Sequence, residues 1–347
     1  MRWLALAVLL PAPQDAAEAL ASQWTEAVRR VNEEHAGKPG KTREPELARR
    51  LPKSAVATLD KLIALPDATA ASLVEAGEAC LDLDLVREFE KVRARLEKLS
   101  GEQASRLGTA LSRDRYILRG IGLDRAYLDR FAEVLDAVLA AYDELFAFEE
   151  WSKVPGKKLR VRIHLEEEIT RPPHFAPQFP FHSEIDFPVI DPKELKSPTS
   201  KGHFLFYGLC HELGHVIAMW GDRGREEDHH AWAHYTGVAI VEHASKGARK
   251  LDGLADIKWK SLEKERQALK DKAPSVADRD GVMSLFIALH DRVGPKAIGA
   301  AINLLDREDR RKRINKVRYY GFAELKEALL KTVKDPKGRA AVAQLIR

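Results

Sequence analysis

Leu209-Cys210-His211-Glu212-Leu213-Gly214-His215-Val216 is the stretch around which the rest of the chain is read. It holds H-E-x-x-H in a locally helical sequence, and helical residues four apart lie one above the other on a single face. His211 and His215 can therefore offer two imidazole nitrogens to one metal ion, zinc being the metal this pairing suits best. Glu212, one position round from His211, stands close enough to take a proton from a water on that metal. Chance spacing on an amphipathic helix gives the same letters, so the surroundings must decide.

Upstream, the texture changes at Trp151-Ser152-Lys153-Val154-Pro155-Gly156. The next segment, Leu159-Arg160-Val161-Arg162-Ile163-His164-Leu165-Glu166, alternates with Leu159, Val161, Ile163 and Leu165 on one side, the pattern of a half-buried strand. His164 shares the polar side with Arg160, Arg162 and Glu166 and reads as exposed. The proline-rich residues 171–177 are expected to be irregular, since proline brings no amide donor. Residues 181–187 read as another strand, and after a loop over 192–198 the H-E-x-x-H helix begins near Lys201-Gly202-His203.

A catalytic zinc takes three protein ligands and leaves a position open. A metzincin would need histidine at 221 and glycine at 218, where this chain has Gly221 and Ala218. The candidates come from the next element, Glu226-Glu227-Asp228-His229-His230-Ala231-Trp232-Ala233-His234-Tyr235-Thr236-Gly237. Its acidic start suits the positive end of a helix dipole, and Gly221-Asp222-Arg223-Gly224 suits a turn before it. His230 and His234 share a face, with Glu227 one turn earlier.

These residues resemble the gluzincin metallopeptidases, in particular their aminopeptidase-like branch, where H-E-x-x-H is followed after 18 residues by the third ligand. In this chain residues 216–233 intervene before His234, within Trp232-Ala233-His234-Tyr235-Thr236-Gly237. The resemblance implies metal binding by His211, His215 and His234 and a general-base role for Glu212. His234 stands where the family carries glutamate. Three imidazoles can hold a zinc-water, at the loss of one negative charge from the site. Asp228, Glu227 and His230 stay open as third ligands in place of His234, or as partners orienting His211 and His215. Strands just before an H-E-x-x-H helix are the zincin arrangement, in which an edge strand pairs with an extended peptide. The strand over 159–166 is expected to play that part.

Beyond Lys246-Gly247 the chain reads as helical. Residues 280–289 and 290–298 suggest a helix, a glycine-containing turn and a second helix, as found after the active site in many gluzincin-like peptidases. Tyr319-Tyr320-Gly321 opens a last amphipathic unit. Tyr319, Tyr320 and His290 are candidates, by residue type, for polarising a substrate carbonyl. The basic run Arg310-Arg311-Lys312-Arg313 reads as a solvated helix face.

The first half reads as helix after helix from Asp15 to Trp151, without catalytic spacing. Its longest run, residues 124–150, places Leu128, Phe131, Leu135, Val138, Leu139, Tyr142, Leu145 and Phe146 along one stripe. Met1-Arg2, the apolar residues 3–10 and Pro11-Ala12-Pro13 resemble a signal peptide, too short to span a bilayer. Cys80 and Cys210 cannot form a disulfide framework; Cys210 reads as a small core residue, and its pairing with Cys80 is left open.

The 347 residues, 45% hydrophobic and 32% charged, have the composition of a globular protein. With Lys+Arg 57 against Asp+Glu 53, the net charge of +4 gives no reason to invoke nucleic acid. The expected fold is α+β, mostly α. Residues 1–15 are a signal peptide, 16–150 a helical domain, 151–250 a zincin-like core of small sheet, H-E-x-x-H helix and ligand helix, and 251–347 a helical subdomain. The expected function is that of a secreted or periplasmic zinc (Zn2+) metallohydrolase, a peptidase acting on a peptide or protein substrate without stable membrane insertion. The same residues would also suit an inert zincin-fold binding protein or a non-peptidase amide hydrolase.

Overall fold

A computed structural model describes residues 13–35, 49–149, 159–164, 174–178, 182–188, 200–218, 220, 226–246, 261–308, 310, 312–314 and 317–346. The leader expected over 1–15 lies almost wholly outside the described residues, as do the turn over 221–224 and the loop over 192–198. The protein is mostly helical with a small mixed sheet, as its periodicities indicate. Among the described residues no helix is long and apolar enough to cross a membrane.

The first helices are α1 (Pro13–His35), α2 (Lys53–Ala64), α3 (Ala70–Asp82), α4 (Val86–Leu99) and α5 (Gly101–Leu107). Each forms where apolar residues recur at helical spacing; in α4 the buried face is Phe89, Val92 and Leu96. Thr69 and Ser100 cap α3 and α5 by accepting backbone amides of Ser72 and Gln103. The Trp24 indole of α1 donates to Ala76 O of α3 at 3.1 Å, satisfying a polar group inside a core that also holds Leu59, Leu73 and Cys80.

Two strands follow that the helical reading of this half misses, β1 (Thr109–Ser112) and β2 (Tyr116–Gly120). They form a hairpin, and β2 then pairs in parallel with β3 (Leu159–His164). Between them runs α6 (Arg125–Phe146), capped by Asp124, whose carboxylate accepts the Tyr127 amide at 2.7 Å. The sheet is completed by β4 (His174–Gln178) and β5 (His182–Pro188), in the order β1-β2-β3-β5-β4.

This order corrects two expectations. β3 has β2 on one side and β5 on the other, in parallel register with both, so neither of its edges is free to take an extended peptide. Beyond β5 the outermost strand is β4, built largely from residues expected to be irregular, with β1 at the opposite end of the sheet. Its Pro177 is tolerated because an edge strand can leave one side of the ladder unbonded.

The sheet is also less one-sided than alternation suggests. Leu118, Val161, Ile163, Ile185 and Phe187 face a large core with α6, where Phe131 meets Phe187 edge-on at 5.4 Å. The charged side is covered as well. Arg119 pairs with Glu78 at 2.7 Å and Arg160 with Asp82 at 3.0 Å, both across to α3, while Arg162 pairs with Glu184 and Asp186 on β5. Ion pairing is what allows these arginines to be covered by the first helices.

The helices around the site are α7 (Ser200–Ile217), α8 (Glu226–Lys246), α9 (Leu262–Ala268), α10 (Arg279–Val293) and α11 (Pro295–Arg307). The expected helix-turn-helix is α10 and α11, joined at Gly294, whose φ of +85° favours glycine, with Pro295 opening α11. A small hairpin, β6 (Lys312–Ile314) and β7 (Val317–Tyr319), precedes α12 (Phe322–Thr332) and α13 (Pro336–Leu345). Part of the basic run therefore lies on a strand rather than a helix, and Arg310 is bound to Glu327 at 2.6 Å.

Buried apolar side chains form two clusters, one running from Ala17 to Ile117 and the other from Leu111 to Ile346. Their division falls at the β1–β2 hairpin. The long helix α6, read as part of the helical first half, is a wall of the second cluster, and the C-terminal helices share that core with the site. Asn303 of α11 fastens the end of α6 by donating to Ala147 O at 2.8 Å and accepting from Glu149 N at 3.1 Å. Cys80 and Cys210 are both free and buried, one in each cluster.

Candidate metal centre

α7 packs against β4 and β5 and, most extensively, against α8. Phe206, Leu209, Cys210, Leu213 and Val216 of α7 are fully buried, so this helix is enclosed rather than lying on the surface. Two donors from neighbouring helices reach its backbone: Tyr142 of α6 donates to Cys210 O at 2.5 Å, and the Trp232 indole of α8 to Gly214 O at 2.9 Å.

Small residues set how closely α7 and α8 approach. A Cβ added at Gly214 would lie 2.2 Å from Thr236 Oγ1 and 2.9 Å from Ala233 Cα. One added at Gly237 would meet Tyr207 Cε2 at 3.0 Å and the His211 amide nitrogen at 3.3 Å. Gly214 thus opposes Ala233, and Gly237 opposes His211, which means that the two helices run antiparallel. Thr236, fully buried here, turns its hydroxyl back onto Trp232 O and Ala233 O of its own helix.

This crossing decides which histidines meet. One ligand nitrogen each from His211, His215 and His230 lies within 4.8 Å of the others. The His215 ring centroid is 4.8 Å from those of both His211 and His230, with each pair edge to face. His229 lies alongside, 5.2 Å from His215. Three imidazoles on two rigid, closely packed helices are a donor set that suits zinc and other divalent transition metals. Their surroundings suit it too, because burial first, then the neighbouring His230 and His234, push the His211 pKa down to about 3, which keeps the ring neutral as a ligand must be.

His234, the third ligand implied by the family resemblance, is not in this group. It lies one turn further along α8, opposite Tyr207 rather than between His211 and His215. The Tyr207 hydroxyl bonds His234 Nδ1 and also His211 Nδ1, the latter at 3.2 Å, and His234 Nε2 faces Glu265 of α9 at 3.2 Å. Of the two acidic candidates on α8, Asp228 is buried but outside the group, and the Glu227 side chain lies outside the described residues. His230 is the histidine that the helix crossing brings in.

Glu212 is 7% exposed, on the same helix as His211 and His215. The three carbonyl-polarising candidates fare differently. Tyr320 is buried against Trp220 and donates to Asp306. His290 Nδ1 is bonded to the Tyr235 hydroxyl at 3.0 Å, and the Tyr319 side chain lies outside the described residues, as does that of His164. Tyr207 is the residue that sequence reading missed. Its signal was present, since Tyr207, His211 and His215 are successive residues four apart on one helix face. Burial, then the Glu265 carboxylate, pushes its phenol pKa up, so Tyr207 keeps its proton.

The sequence matches no family model and no curated protein.

Proposed function

We propose that this chain is a zinc-dependent hydrolase, exported by the leader read at its N-terminus and acting on peptide bonds. The observation that carries the reading is the convergence of His211, His215 and His230 beside the buried carboxylate of Glu212. The three histidines would hold the ion through neutral nitrogens. A zinc so held makes its water more acidic and polarises a carbonyl oxygen.

The chain's own residues do the rest. Glu212 accepts the proton of the attacking water and returns it to the departing amine. Its low exposure keeps bulk water from competing for that proton. β4, the outer strand of the sheet against α7, offers the backbone edge along which an extended substrate pairs. Together, an H-E-x-x-H helix beneath an edge strand and a ligand helix running back across it make a zincin-like unit. The H-E-x-x-H helix keeps the gluzincin pattern, and His230 departs from it, in ligand type and in spacing.

The test is a peptide-library digest by the zinc-loaded protein, with Glu212→Gln alongside. Chelator-sensitive cleavage by the wild type is expected, with a loss of about 10²–10⁴-fold in Glu212→Gln at unchanged zinc content. An equally active Glu212→Gln protein would rule the mechanism out. Tight zinc with no turnover of any peptide would leave an inert binding protein, and cleavage confined to non-peptide amides would leave an amide hydrolase of another kind.

A further inference from the structure

Tyr207, His234 and Glu265 sit outside the group of three histidines, yet they form one line of polar contacts that ends on it, with hydrogen bonds on either side of the Tyr207 hydroxyl and an ion-pair contact between His234 and Glu265. Glu265 faces His234 Nε2 at 3.2 Å, His234 Nδ1 meets the Tyr207 hydroxyl, and that hydroxyl reaches His211 Nδ1 at 3.2 Å. The line joins three helices, α9, α8 and α7. We propose that Glu265, His234 and Tyr207 are positioning residues that fix the His211 imidazole as its Nδ1–H tautomer, so that Nε2 is the nitrogen presented to the metal. The inference rests on the metal reading of the site for its purpose, though not for its direct test.

With one hydrogen on the His234 ring, the direction of the protons follows from the end of the line; a second hydrogen on that ring would make Nδ1 a donor to Tyr207 and turn the line round. A carboxylate only accepts, so His234 Nε2 must carry a hydrogen toward Glu265; a bare nitrogen there would set lone pair against lone pair. In neutral His234 the hydrogen on Nε2 leaves Nδ1 as an acceptor, and the Tyr207 O–H, which has one proton, donates to it. The Tyr207 oxygen is then left to accept, and His211 Nδ1 stands 3.2 Å from it. That nitrogen carries the ring's hydrogen, and Nε2 holds the free lone pair. The reverse direction would put the His211 hydrogen on Nε2 and close the ring to the metal at that atom.

Each hydrogen bond in such a line polarises the next, so the Glu265 charge reaches His211 without touching it. A ligand histidine oriented and made more basic through its second nitrogen holds metal more tightly. The triad itself contains no carboxylate, and the relay supplies negative character from one remove. His234 therefore serves the site without being a ligand.

The experiment uses the full chain labelled with [15N]histidine, recorded metal-free, with His211 assigned by comparison with His211→Asn. Zinc affinity is measured on the same samples by competition with a chelator. The expected result is an Nδ1–H tautomer at His211 in the wild type and in Glu265→Gln, where the amide oxygen still accepts from His234. Tyr207→Phe should give a mixture of tautomers and weaken zinc binding by about 10–100-fold, and Glu265→Ala should move both readings the same way. An Nε2–H tautomer at His211 in the wild type would overturn the proposal. So would a Tyr207→Phe protein that remains folded with both tautomer and zinc affinity unchanged. A wild-type protein that binds no zinc would refute the metal reading, while the nitrogen spectra would still decide on the relay.

Discussion

Gly214→Ala is the sharpest perturbation of the scaffold that brings the three histidines together. The new methyl would stand 2.2 Å from Thr236 Oγ1 and 2.9 Å from Ala233 Cα, and the second of these is backbone that no side-chain rotation can move. Carbon atoms pack at about 3.5–4.0 Å, so α8 must retreat by roughly 0.5 Å or more at this point. Overpacking of this kind costs about 1–3 kcal/mol, against about 1 kcal/mol regained by replacing glycine inside a helix. The net expectation is a destabilisation of up to about 2 kcal/mol, with a larger proportional effect on metal binding, because the retreat carries His230 away from His211 and His215. Urea unfolding followed by far-UV circular dichroism reads the first effect, and chelator competition for zinc reads the second. Adding Thr236→Ala should recover only part of the loss, since the Ala233 contact remains. Gly101→Ala is the control: its Cβ would meet nothing within 4 Å, and it should cost nothing. A Gly214→Ala protein as stable as the wild type and with the same zinc affinity would refute the claim that helix approach places His230.

Two further outcomes follow from other parts of the molecule. The His211 pKa lies at about 3 in the folded metal-free chain against an ordinary 6.5, so as pH falls the unfolded chain takes up its proton first. The stability this contributes is complete above pH 6.5 and drains away between 6.5 and about 3, by up to about 1.4 kcal/mol per pH unit, and urea midpoints across that range should flatten in His211→Asn. Asn303→Ala strips partners from Ala147 O and Glu149 N at the end of α6, and should cost about 2 kcal/mol or more in the same assay. A cost near zero there would mean that α11 does not hold α6 through this side chain.

What could be read from the sequence, and what could not, separates along physical lines. The stripe on residues 124–150 became α6 because period and length are local properties, and the alternation at 159–164 became β3 for the same reason. Neighbours in a sheet are not local. Nothing in Leu159 to His164 says that β2 will pair along one side of it, and the short buried strands Thr109–Ser112 and Tyr116–Gly120 carry little alternation to set them apart from the surrounding helices. Likewise Pro177 argues against a central strand but not against an edge, a distinction that depends on which strand ends up outermost.

The site divides in the same way. His211 and His215 were legible because one helix fixes both. The choice between His230 and His234 was not, since they share a face of α8 and differ only in the offset at which α8 crosses α7. That offset is set by Gly214, Ala233 and Gly237, whose smallness is visible in the sequence but whose contacts are not. Tyr207 falls between the two cases. Its spacing from His211 was plain, but its use became apparent only with His234 and Glu265 brought to it from two other helices.

The central claim is that His211, His215 and His230 hold the metal, and zinc content per chain tests it most directly. Wild type, His211→Ala, His230→Ala and His234→Ala would be equilibrated with excess zinc, freed of unbound metal and measured by elemental analysis. The account predicts one zinc per chain in the wild type, none in His211→Ala or His230→Ala, and a weakened but saturable site in His234→Ala. A full complement of zinc in His230→Ala with none in His234→Ala, or no zinc in the wild type, would contradict it.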